Sequence, residues 1–354
     1  MCVSILILIG CVALYSATQG SGNDELIKQL VWLGISIPVM IGIIVLDYNT
    51  IIKFAPIGYG IILISLIAVL FTSPINGATS WFIMGPVSIQ PSEFAKIFVI
   101  LTLALTISKI QENGKDQISK PIKLGLSLLV VAIPILLIIK QPDYGTAIAF
   151  VVATIFMLYT SGINRKYIII SLILIIIALP LLYFLVLPEH AKIRIDVFLN
   201  PDIDPRGSGY NIIQSKLAIG SGQLFGMGIK QGNQTQLGYL YPKTTDFIFS
   251  VIGEEMGFIT AGLIIVLYVF MITKIIYIAK TAKDDKGSYI AIGIAGIFVF
   301  HMVENIGMTM GLLPITGVPL PFVSYGGSSL LTNLILIGLV LNISARRKKS
   351  LFIE

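Results

Sequence analysis

The chain has 354 residues, 56% of them hydrophobic and 12% charged, and a net charge of +6. Soluble domains carry about 25% charged residues, so a soluble globular fold is excluded and the long apolar runs read as transmembrane helices. The basic residues sit mainly in short loops between those runs, where they orient a membrane protein, and nucleic acid is excluded as a partner on that ground.

The first run, "MCVSILILIGCVALYSAT", lacks a basic leading segment and is followed at once by another apolar run, so it reads as a span rather than a signal peptide. Cys2 and Cys11 both lie in it. Nine residues of helix separate them by about 13 Å, too far for a disulfide between them, and no metal-ligand spacing accompanies them. Apolar periodicity and length predict ten spans, at about 2–18, 28–46, 52–72, 91–109, 122–139, 144–161, 166–187, 246–273, 287–311 and 320–343. The expected fold class is therefore all-α, a single polytopic domain over 1–354 with about ten transmembrane helices. Continuous apolar runs in one chain satisfy their backbone in no other way, and the internal Pro56 and Pro134 are tolerated kinks.

An even number of spans puts both termini on one side. Most of the 24 basic residues fall in the loops of that side: Lys53, then Lys109, Lys115, Lys120 and Lys123, then Arg165 and Lys166, then Lys274, Lys280, Lys283 and Lys286, then Arg346, Arg347, Lys348 and Lys349. Both termini are thus expected to be cytoplasmic. The segment 188–245 becomes one large extracellular loop, and a loop of that length is generally functional. Within it "NIIQSKLAI" reads as a short amphipathic helix in the membrane surface.

Three clusters carry chemistry, all on the outer face. Asp246, taken as the start of its span, shares a face with Phe249, Ser250, Gly253 and Gly257. Three of those four are small, which lets a helix or a ligand approach. Glu254 is displaced from that stripe and Glu255 points nearly opposite. A helix N-cap explains Asp246 on position alone. In "QPSEFAK", Pro91 opens a helix and Glu93 and Lys96 stand one turn apart. They read either as an intrahelical ion pair or as groups facing a cavity. Trp81 just before them suits an interfacial position. In "ENIGMTMGLLPITGVPLPFVSYGGSS", a His301–Glu304 pair precedes a Pro- and Gly-dense stretch at 314–327 that predicts broken outer backbone. The glycines of "GSGQLFGMGIKQG" lack the preceding strand and the Gly-Lys-Ser/Thr of a phosphate loop. Charge is nearly absent from the middle of the spans, unlike a midplane transport site.

Five stretches, "NGATSWFIMGPVSIQPSEFAK", "KQPDYGTA", "GYNIIQSKLAIGSGQLFGMG", "QTQLGYLYPKTTDFIFSVIGEEMGF" and "NIGMTMGLLPITGVPLPFVSYGGSS", together resemble the signatures of the SEDS family (shape, elongation, division and sporulation; RodA, FtsW and SpoVE). They run in the family's order from about residue 76 to 329, and "QSKLAIGSG" with "NIGM" and "GVPLPFVSYGG" is more similar to the elongation branch, RodA, than to the division branch, FtsW. The resemblance implies a peptidoglycan glycosyltransferase of the bacterial cytoplasmic membrane. Such an enzyme polymerises lipid II at the outer leaflet beside a class B penicillin-binding protein, in cell elongation and rod-shape maintenance. The family's essential aspartate matches Asp246 and its intramembrane pair matches Glu93 and Lys96. Glu93, Lys96, Trp81, Gln214, Lys216 and Ser324 fall within the matching motifs and are carried over as substrate-binding residues. The chain departs from the pattern at Lys243–Thr244, where an acidic residue and His are common, at Thr79–Ser80 before Trp81, and at "GSGQ" for "GSGG".

The implied reaction is an inverting displacement on a lipid-linked donor. Asp246 takes the proton of the attacking sugar hydroxyl, while Lys96, Lys216 or a divalent cation (Mg2+ or Mn2+) neutralises the leaving pyrophosphate. Two rivals remain open on sequence: a lipid II flippase, and a non-catalytic scaffold that activates a penicillin-binding protein.

Overall fold

In the computed structural model, residues 1–19, 22–74, 78–85, 87–167, 169–171, 173, 177, 183–184, 189–205 and 207–347 are described. Helices follow the apolar runs: α1 (Cys2–Ala17), α2 (Asp24–Val45), α3 (Tyr48–Val69), α4 (Pro91–Ile110), α5 (Pro121–Ile139), α6 (Tyr144–Thr160), α10 (Ile248–Lys280), α11 (Asp285–Thr309) and α12 (Gly327–Ala345). Six of these are long and apolar enough to cross a membrane, and α1 and α6 are shorter apolar helices. The chain is a multi-pass membrane protein. The expected span at 166–187 lies largely outside the described residues.

Local chemistry sets the helix starts. Asp47 caps α3 by accepting from Asn49 N at 2.8 Å, and Asp143 caps α6 by accepting from Thr146 N at 3.1 Å. Proline occupies the first helical position of α4 and α5, where its missing N–H costs nothing. Between α3 and α4 the chain forms an antiparallel hairpin, β1 (Phe82–Met84) with β2 (Val87–Ile89), pairing Phe82 with Ile89 and Met84 with Val87. The helix-only expectation missed it, because two three-residue strands leave no periodic signal of useful length.

The long outer segment holds α7 (Glu189–Leu199), α8 (Ser208–Ser221) and the single turn α9 (Asn233–Gln236). The chain divides into two compact units. One comprises Met1–Val31, Ile169–Met271 and His301–Gly326, and the other Trp32–Ile168, Ile272–Phe300 and Gly327–Glu354.

In the first unit, α10 is two helices broken at Gly257, which takes φ +77° and ψ 179°. The break is stitched to the chain after α8: Phe258 N donates to Gln223 O (2.8 Å), and Met227 N and Gly228 N donate to Glu254 O (2.9 Å) and Glu255 O (3.1 Å). A Cβ on Gly257 would strike the backbone of Leu224, Phe225 and Gly226, so only glycine fits both the dihedral and the space. In the second unit α4 is buried over most of its length and packs on α3, α5, α6 and α12.

Several expected boundaries move: α2 begins at Asp24 rather than 28, α3 at Tyr48 rather than 52, and α10 runs to Lys280 rather than 273. The last span was expected at 320–343, but regular helix begins only at Gly327, because Pro314, Pro319 and Pro321 with Gly311 and Gly317 keep the preceding arm irregular. The span expected from Asp246 begins as helix at Ile248, and residues 241–247 form turns.

Candidate active site

Asp246 therefore stands in a turn two residues before α10, outside the spanning helix and half-buried. Its backbone is held from one direction. Three consecutive carbonyls accept from the arm that follows α11 or from α11 itself: Thr244 O from Tyr325 N (2.9 Å), Thr245 O from Ser324 Oγ (2.7 Å) and Asp246 O from Asn305 Nδ2 (3.0 Å). Buried carbonyls must be satisfied, and here the satisfaction also fixes where the carboxyl points.

The arm is itself tied down. Asn305 Nδ2 also donates to Val318 O (2.8 Å), Ser324 Oγ accepts from Leu320 N (2.8 Å), and Thr316 Oγ1 donates to Glu304 Oε1 (2.7 Å). His301 Nδ1 lies 3.0 Å from Pro319 O, and the Tyr268 hydroxyl donates to Pro321 O. Gln29, buried in α2, donates from Nε2 to Ser324 O (3.3 Å) and accepts from Gly326 N (3.1 Å). His301 and Glu304, read from sequence as one pair, thus each anchor the arm at separate points.

The Asp246 carboxyl lies over this arm at Gly317, whose φ is +75° and where a Cβ would sit 3.4 Å from Oδ2. A Cβ there would meet the acid at ordinary contact distance, and it is the positive φ that calls for glycine. Loss of water around the carboxyl pushes its pKa up to about 6, opposed by the Thr245 hydroxyl and by the charge of Arg194. Arg194 comes from α7 and its Nη1 reaches Ile315 O at 3.5 Å. Sequence reading missed it. The available signal was a cation with an apolar neighbour on either side, in "KIRID".

The small face of α10 receives α8 at Ser250 and Gly253. Ser215 Oγ lies 2.6 Å from Ser250 Oγ and donates to Thr309 O (2.6 Å). A Cβ on Gly253 would approach Ile219 to 3.1 Å. Gly209, Ile212, Ser215 and Ala218, at spacing three, are buried in α8. The helix expected in the membrane surface is thus packed against protein along that stripe. Gln214 is half-buried and Lys216 exposed on it, with Lys216 running past Gly311.

Glu254 and Glu255, buried in α10, anchor the outer loop. Glu254 accepts from Gln234 N (2.7 Å), Thr235 N (2.9 Å) and Thr235 Oγ1 (2.6 Å), so a carboxylate seats the N-terminus of α9. Glu255 accepts from Gln236 Nε2 at 2.7 Å. Lys243, which stands where an acid is common in the resembling family, donates to Thr235 O at 3.0 Å.

The second unit holds the other charged cluster. Lys96 Nζ lies 2.8 Å from Glu93 Oε2, and the two residues are 0% and 2% exposed. Thr332 Oγ1 of α12 donates to Glu93 Oε2 at 3.1 Å. Asp143 Oδ2 accepts from Gln90 Nε2 (3.0 Å) and Ser92 Oγ (3.4 Å) at the head of the same α4. Of the two readings offered by sequence, the ion pair is realised. Trp81 is half-buried at the foot of the hairpin, next to Ser80, whose Oγ donates to Gln141 O at 3.2 Å. No group of three or more His, Cys, Asp or Glu side chains fit to hold a metal ion stands among the described residues.

Of the residues singled out from sequence, Asp246 and Ser324 are brought together through the Thr245 carbonyl, and Glu93 and Lys96 through their pair. Ser324 enters as a clamp on the backbone of Asp246, with its hydroxyl engaged in two hydrogen bonds.

The profile of the cell cycle protein family that unites FtsW, RodA and SpoVE matches residues 1–349. Among curated proteins, the chain is 35% identical over 352 residues to the peptidoglycan glycosyltransferase MrdB of Escherichia coli K12, covering 98% of this chain and 94% of that one. Among solved structures it matches a chain from a peptidoglycan synthase complex, described for its coordination of polymerization and crosslinking. The TM-score is 0.84 at 27% identity, over 99% of this chain and 97% of that one. The rod shape determining protein RodA of Thermus thermophilus matches with a TM-score of 0.73 at 27% identity, over 99% of this chain and 96% of that one.

Proposed function

Because the chain belongs to the FtsW, RodA and SpoVE family of cell cycle proteins, we propose that it is a peptidoglycan glycosyltransferase that uses Asp246 to polymerise lipid II at the outer leaflet of a bacterial cytoplasmic membrane. The observation that carries the reading is the clamp on Thr244, Thr245 and Asp246, which presents one half-buried carboxyl with a raised pKa at the end of a spanning helix. A base whose pKa lies near the working pH is the efficient kind.

In this account the acceptor sugar hydroxyl gives its proton to Asp246 Oδ as its oxygen bonds to the anomeric carbon of the donor. The bond from that carbon to the pyrophosphate oxygen breaks on the opposite side, so configuration inverts. Arg194 beside the acid and Lys216 on the exposed side of α8 supply positive charge for the departing pyrophosphate. Gln214, half-buried on α8, is assigned to the sugar. Lys96, whose charge is met by Glu93, acts by holding the head of α4. No group of three or more side chains fit to hold Mg2+ or Mn2+ stands among the described residues, and the chain's own cations toward the pyrophosphate are Arg194 and Lys216. The polyprenyl tails stay in the bilayer, which accounts for an acid of this kind on an intramembrane scaffold.

The RodA match supports a role in elongation and rod shape, and the synthase-complex match supports work beside a crosslinking penicillin-binding protein. The basic loops support cytoplasmic termini. Incubating the purified protein with labelled lipid II separates the enzyme from the rival flippase. Glycan strands are expected. Exchange of lipid II between leaflets with no strands would replace this reading with a transporter.

A further inference from the structure

We propose that a cavity at the meeting of the α6, α10 and α11 ends binds an anionic glycerophospholipid. The cavity measures about 790 Å³ and lies wholly within the second unit. It lies at the C-terminal ends of α6 and α10 and the N-terminal end of α11.

Its lining is graded. One to two turns into the helices it is apolar: Ile155 and Phe156 from α6, Ile276 from α10 and Ile292 from α11. At the helix ends it carries Arg165, Lys280 and the Ser288 hydroxyl. Tyr159, also in the lining, is 68% exposed, so one wall of the cavity opens outward from α6. Two cations at the membrane boundary above an apolar slot fit a phosphate headgroup and the upper part of an acyl chain, and basic pockets between spanning helices are where anionic lipids bind.

The charge balance there favours that occupant. Neither Arg165 nor Lys280 forms an ion pair among the described residues, and no carboxylate lines the cavity. The acids nearest in sequence are engaged elsewhere. Asp284 accepts from Tyr48 Oη (2.8 Å) and Gly287 N (2.8 Å), and Asp285 pairs with Lys115 at 3.5 Å. Lys166 stacks over the Tyr167 ring at 5.1 Å. A neutral lipid or an apolar partner helix would use the slot and leave both cations unmet. Ordinary topology-setting cations need no cavity, and it is the cavity beneath them that distinguishes this pair. The site is separate from Asp246 and does not rest on the polymerase reading.

The test is native mass spectrometry of the full chain released from nanodiscs of phosphatidylcholine doped with phosphatidylglycerol. The expected result is preferential retention of one phosphatidylglycerol. Each cation near a headgroup contributes about 1 kcal/mol, or about fivefold, so Arg165→Gln with Lys280→Gln should weaken retention about 25-fold. Lys53→Gln with Lys120→Gln, exposed cations elsewhere, should leave it unchanged. Ile155→Trp, which fills the slot and keeps both cations, should also expel the lipid. Equal retention of the two lipids, undiminished retention in the cation variant, or displacement only by an added transmembrane peptide would overturn the proposal.

Discussion

Replacing Asn305 by alanine removes the one side chain that ties Asp246 O and Val318 O together, at 3.0 and 2.8 Å. Asn305 is fully buried, so no water replaces its amide. A net hydrogen bond is worth about 1 kcal/mol, and a buried acceptor left empty costs about 1–3 kcal/mol. Two acceptors are stranded, but Asn305 Oδ1 is itself buried without a partner, and deleting it offsets part of the loss. The expected destabilisation is about 2–3 kcal/mol. It is concentrated in the 316–326 arm and the turn before α10, so catalysis should suffer beyond stability. The assay is thermal unfolding in detergent beside lipid II polymerisation by the folded fraction. The expected result is a lower midpoint and a fall in turnover of at least about tenfold, the scale set by a small misplacement of a reacting group, with lipid II affinity little changed. A variant that melts earlier yet polymerises at the wild-type rate would show that the clamp is scaffolding only. One that does neither would refute the hydrogen-bond assignment.

Two further outcomes follow from charge. Burial raises the Asp246 pKa to about 6, and the base must be ionised to accept a proton, so polymerisation should be full above that value and fall about tenfold per pH unit below it. A profile flat down to pH 4.5 would remove Asp246 as the base. Lys96→Ala strands a buried Glu93 and should cost about 3–5 kcal/mol, whereas the double change with Glu93→Ala should cost less than Lys96→Ala alone. Thermal melts of the three variants read this directly, and additive losses would mean that the two charges are not coupled.

The helices were legible because continuous apolar runs allow the backbone no other solution, and the start of α4 follows from Pro91 at its first helical position, whereas α3 begins at Tyr48, ahead of the expected 52, because Asp47 caps it. Asp246, Glu93 and Lys96 stood out because charge beside a span is rare. What was not legible is what those groups touch. The clamp on Asp246 joins residues 59 to 81 positions apart through backbone carbonyls, which carry no residue-type signal. The small face at Ser250, Gly253 and Gly257 announced a close approach without naming its occupants, which are α8 at Ser250 and Gly253 and the chain at Leu224–Gly226 at Gly257. Glu254 and Glu255 could be placed on the helix from 100° per residue, but their partners in α9 lie 19 to 20 residues away across an irregular loop. The break at Gly257 was hidden because the segment that requires it, Leu224–Gly226, lies more than thirty residues away in the sequence.

The most direct measurement is the rate of glycan formation from purified lipid II by Asp246→Asn protein of wild-type melting temperature. The substitution keeps the shape of the side chain and every backbone bond to Thr244, Thr245 and residue 246, and removes the negative charge and with it the capacity to take a proton. The account predicts that strands disappear while lipid II still binds. Strands made at the normal rate and length by that protein would contradict it.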